Sequence, residues 1–137
     1  MTSVLRLRRF DLDEARRRLQ ELQLMRAGFE RELTTLEQSV ENEAAAAAAD
    51  REAGTGFPAW LAECRQRRSH LLESLRRIDT EIDVARSALS EAYREVKSLE
   101  QAIENQERRN RKIREHRARA ELDEISLDLY RRSRPAA

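Results

Sequence analysis

His70, His116 and Cys64 are the side chains in this sequence best suited to bind a metal or act as a nucleophile. Their spacing suits neither task. The two histidines are far apart and form no HxxxH or HExxH arrangement, and a lone cysteine makes no CxxC site. His70 falls beside the apolar position Leu71, so it reads as a helix-flank residue. His116 lies within a basic run and reads as facing solvent or a partner. Gly54 and Gly56 lack the Gly-Lys-Ser/Thr that a phosphate-cradling loop requires downstream. Carboxylates are abundant but spread along the chain, where no burial would tune a pair for acid–base work. No metal, cofactor or enzymatic activity is expected.

The elements that carry these residues explain why. Charged residues make up 39% of the 137, aromatics 4%, and Gly and Pro together number five. That composition suits a long helix or coiled coil better than a globular domain. Apolar side chains recur in seven-residue steps at Leu5, Leu12, Leu19, Leu33, Val40 and Ala47. A companion set runs through Ala15, Leu22, Phe29 and Leu36. Together they form the a and d rows of a heptad, which separates the chain from a disordered one of equal charge. Arg8, Arg26, Glu43 and Asp50 are the polar members of these rows. A second seam runs from Leu61 and Cys64 through Leu71, Leu75, Ile78, Ile82, Leu89, Val96 and Leu99 to Ile103.

Between the seams stands Gly54-Thr55-Gly56-Phe57-Pro58. Glycines can stop one helix, and proline fits the first turn of the next. The expected architecture is all-α, a long antiparallel two-helix coiled-coil hairpin with an overhanging C-terminal helix. It forms one domain: helix 1 about 5–52, a turn at about 53–58 and helix 2 about 59–132. In an antiparallel pair, facing residue numbers add to a constant, and 111 satisfies the apolar pattern. Leu12 then faces Leu99, Leu22 faces Leu89, Phe29 faces Ile82, and Val40 faces Leu71. Arg26 would lie against Ala85, and Glu43 would pair with Arg68. A parallel homodimer would stack Arg26 on Arg26 and Glu43 on Glu43, which favours the hairpin.

Pairing in that register ends near residue 106. Beyond it, residues 107–119 read ERRNRKIREHRAR, with seven Arg or Lys against two Glu. Leu122, Ile125 and Leu129 follow at helical spacing, beside Leu127. A basic helix therefore precedes an amphipathic one that has no mate in the chain. Such a stripe seeks a surface: a larger protein partner, or a second copy. Nucleic acid is not expected, because aromatic interleaving and a recognition motif are missing. At the turn, Phe57 and Trp60 either pack on Leu61 or anchor a partner. No apolar run approaches the roughly 20 residues that cross a bilayer, and no signal-like stretch opens the chain, so a cytoplasmic protein with at most peripheral membrane contact is expected.

Three features resemble the flagellar export protein FliJ family. They are the opening LRLRRFDLDEARRRLQELQ, the two-helix layout, and the closing NRKIREHRARAELDEISLDLYRRS with Leu122-Asp123-Glu124 at its centre. The resemblance implies a stalk-like coupling protein and general export chaperone. It would act at the cytoplasmic face of the inner membrane, in the flagellar export apparatus. Its implied partners are the export ATPase hexamer, the cytoplasmic domain of the export-gate membrane protein, and export chaperones. Arg6, Arg8, Arg9, Arg108, Arg109, Arg111, Lys112 and Arg114, with Leu122, Ile125 and Leu129, would face the ATPase ring. Phe57 and Trp60 would face the gate. An export stalk would be monomeric alone; the alternatives are a homodimeric coiled-coil adaptor or an injectisome stalk protein.

Overall fold

A computed structural model describes residues 2–50, 52 and 54–134. Two helices make up the fold, α1 (Thr2–Ala49) and α2 (Phe57–Ser133), packed along one another as an antiparallel pair. The all-α hairpin expected from the heptads is the fold observed. Strong helix formers fill both elements, and the Ala44–Ala49 run completes α1. Gly28 lies within α1 without ending it.

The turn lies earlier in the chain than the sequence suggests. α1 ends at Ala49, not near 52, and α2 opens at Phe57, not near 59. Arg51 and Ala53 lie outside the described residues. The Gly54 amide donates to the Asp50 carbonyl at 3.2 Å, and the Asp50 carboxylate accepts from the Glu52 amide at 3.0 Å. A Cβ on Gly54 would sit 3.3 Å from the Ala47 carbonyl oxygen, so a side chain there would press on the last turn of α1. Gly56 caps α2, Pro58 occupies its first turn, and the Trp60 amide donates to the Gly56 carbonyl at 3.1 Å.

The earlier fold-back corrects the register. Leu22, the most buried large side chain at 1% exposure, packs with Ile78, Ile82 and Ala85, and Leu19, Phe29 and Leu75 close around them. Leu89, the partner expected for Leu22, instead joins a second cluster built on Leu5, Leu12 and Val96. Ion pairs that cross between the helices agree: Arg8–Glu95, Arg9–Glu100, Arg18–Glu81, Arg26–Asp79 and Arg68–Glu37. Their residue numbers add to values centred near 104, one heptad below 111. The expected Glu43–Arg68 bridge is replaced by Arg68–Glu37 at 3.4 Å. Arg26 does not rest on Ala85. It reaches across the seam to Asp79 at 2.5 Å and along α1 to Glu30.

The shift also moves the point where pairing stops. Ile103 is the last half-buried residue of α2, and every residue from Glu104 to Arg134 is exposed. The free helix is therefore about 45 Å long, at about 1.5 Å per residue. The paired rod behind it runs about 70 Å to the tip.

Candidate partner-binding surfaces

The structure sorts the basic candidates into two groups. Arg8 and Arg9 are tied down against α2. Arg8 bridges to Asp11 at 3.4 Å and Glu95 at 3.5 Å, while Arg9 reaches Glu100 at 3.3 Å. Hydrogen bonds from Lys97 and then from Arg9 hold the Glu100 carboxyl below its ordinary range. These contacts staple the start of α1 to the rod. Arg108 pairs within its own helix, with Glu104 at 2.6 Å. Among the described residues, Arg6, Arg109, Arg111, Lys112 and Arg114 make no ion pair. They are free to meet acidic or carbonyl-rich surfaces.

Arg6, Arg8 and Arg9 do not join Arg108–Arg114 in one cluster. Arg6, Arg8 and Arg9 lie level with about residues 95–98 of α2, so the second set projects roughly 15–28 Å beyond the first. Leu122, Ile125 and Leu129 stand further out, each more than half exposed. Helical spacing aligns Arg111, Arg114, Ala118, Leu122, Ile125 and Leu129 at three- and four-residue steps. They form one stripe, cationic near the rod and apolar towards the end of α2. Ile113 and Leu127 lie on the opposite side of the helix.

At the other end, Phe57 and Trp60 are half-buried, with ring centroids 5.9 Å apart and planes tilted by 34°. They stack on each other at the start of α2, so neither stands out as a free aromatic anchor. His70 and His116 are exposed. Cys64 is buried in the seam. Among the described residues no group of three His, Cys, Asp or Glu converges as a metal site would require. The hollows along the rod are open grooves between side chains, such as that bordered by Leu36, Val40, Cys64 and Arg68.

One feature escaped the sequence reading. Val4, Leu7 and Phe10 are 45%, 56% and 59% exposed and follow one another at three-residue steps on the outer side of α1. They belong to neither a nor d. A search for apolar residues outside the seam, and not only within it, would have found them.

A family model described as Flagellar FliJ protein matches residues 1–135. The chain belongs to the FliJ family. Neither a curated protein nor a solved structure matches it. The FliJ match takes in both helices, the tip and nearly all of the overhang, and it gives the chain a role in flagellar protein export. Among the described residues, no helix of this FliJ-family chain is long and apolar enough to cross a membrane.

Proposed function

We propose that this protein is the stalk of the flagellar export apparatus: a stiff rod whose overhang enters the export ATPase ring and whose tip reaches towards the export gate. One observation carries the reading. Thirty residues of continuous helix, Glu104–Ser133, extend past the last internal partner. A helix exposing this much apolar surface gains little from folding alone, and its burial must come from another molecule.

The stripe from Arg111 to Leu129 fits such a partner. Guanidinium groups at its base would engage carboxylates or carbonyls at the ring entrance, and Leu122, Ile125 and Leu129 would bury in the bore. Cross-helix ion pairs and two apolar clusters keep the rod from shearing. A torque or tilt of the overhang therefore reaches the tip about 70 Å from its base. The chemical step belongs to the ATPase. Charge reversal at Arg108, Arg109 and Arg111 to Glu tests the assignment in a pull-down with the export ATPase. Ring association is expected to fall at least about tenfold, given what desolvated Arg contacts contribute, with helicity by circular dichroism unchanged. Undiminished capture would refute it.

A further inference from the structure

The overhang has a second face that the stalk reading leaves unused. The seam of α2 continues past the end of α1 in its d row, as Ile113, Ala120 and Leu127, while the a row turns to Asn110, Arg117 and Glu124. Ile113 is 49% exposed and Leu127 54%. This row lies on the side of the helix away from Leu122, Ile125 and Leu129. Charge along the segment reverses about Ala120. Residues 107–119 hold seven Arg or Lys against two Glu, and 121–128 hold four carboxylates with no Lys or Arg. Few of these charges are satisfied locally. Arg108–Glu104 and Arg132–Asp128 are the ion pairs of the overhang among the described residues.

We infer that a second copy of this chain covers that face, its overhang lying antiparallel and centred on Ala120. A two-fold axis at Ala120 sets Ala120 on itself and Ile113 on Leu127 of the second copy. On one flank Arg117 meets Glu124 of the second copy, and on the other His116 meets Asp123. Each contact occurs twice by symmetry. A parallel copy would instead set arginine on arginine and carboxylate on carboxylate. The length also fits: Ser133 of one chain comes level with Glu107 of the other, leaving a turn of helix clear before the start of α1. Arg109 opposite Arg131 of the second copy opposes extension of the seam at either end. The small core makes the dimer weak and sensitive to salt. The monomer expected from the family resemblance is then the dilute state. Pairing also blocks entry of the overhang into a ring, so the dimer is a resting form that must part before docking.

The geometry makes a distinctive shape. A monomer has a maximum dimension of about 115 Å, and a dimer joined through its overhangs about 190 Å. Small-angle scattering and sedimentation velocity on the full chain at low salt, from micromolar to millimolar concentration, test this directly. Growth towards the longer dimension is expected, reversed by high salt. Chains carrying His116→Glu with Arg117→Glu, or Asp123→Arg with Glu124→Arg, should each lose self-association at least about tenfold. An equimolar mixture of the two should recover it. With buried Cys64 left in place, Ala120→Cys should form a disulfide-linked dimer on oxidation, and Ile113→Cys should do so far more slowly. A single monomeric species throughout the range would overturn the proposal and leave this face to a different protein. Cross-linking of Ile113→Cys as readily as Ala120→Cys would overturn it too. These readouts need no ATPase, so their failure is distinct from failure of the stalk assignment.

Discussion

Arg26 shows at the residue scale how this rod trades stability for order. It occupies a seam position that a leucine would fill, and its hydrogen bond to Asp79, followed by the charges of Asp79 and Glu30, raises its already high pKa. The ion pairs are solvated, with the Arg26 side chain 38% exposed, so their net contribution is small. A leucine there would join the cluster of Leu22, Ile78 and Ile82. Arg26→Leu is expected to stabilise the chain by about 1 kcal/mol in urea titration, since burying a leucine side chain gives roughly 1.5–3 kcal/mol before fit is considered. The cost is specificity, because Asp79 then no longer marks where Arg26 belongs. A destabilised variant would mean that the bridge contributes more than solvated pairs do. Arg26 was legible in the sequence as a polar intruder with an outward-reaching side chain. Its partner was not.

That missing partner points to the element scale. Helix identity, the antiparallel hairpin and membership of both seams were readable, because a and d residues declare themselves by period. Register was not. A heptad pattern repeats every seven residues, so sums of 104 and 111 both align apolar rows, and periodicity alone cannot choose between them. The choice falls to the turn, where the Gly54 amide bonds to the Asp50 carbonyl, and the end of α1 at Ala49 and start of α2 at Phe57 move the fold-back earlier and lower the facing sum by one heptad. Only placing the turn to within a few residues would have revealed this, and helix ends are the least determinate part of a sequence. Paired cysteines separate the registers. Leu12→Cys with Ala92→Cys should form an intramolecular disulfide under mild oxidation, and Leu12→Cys with Leu99→Cys should not. The opposite pattern would restore the register with a facing sum of 111.

On the scale of the whole molecule, the overhang was visible in advance as a basic then amphipathic segment without a mate. Its two opposed faces were not, because the apolar residues were counted along the chain and not around the helix. Nor was the separation between Arg6–Arg9 and Arg108–Arg114, which depends on the register. Among the described residues, the structure leaves a rod stapled at its open end by Arg8 and Arg9, closed by the turn after Ala49, and extended by about 45 Å of helix with nothing against it. The proposed function places partner binding where internal pairing stops. Amide hydrogen exchange measures this most directly, run on the full chain at a concentration below self-association, with and without the export ATPase hexamer. The seam amides around Leu22, Ile82 and Val96 should exchange slowly in both states. Residues 104–133 should exchange fast alone and become protected when the ring is present. Protection confined to the paired rod, or an overhang indifferent to the ATPase, would contradict the account.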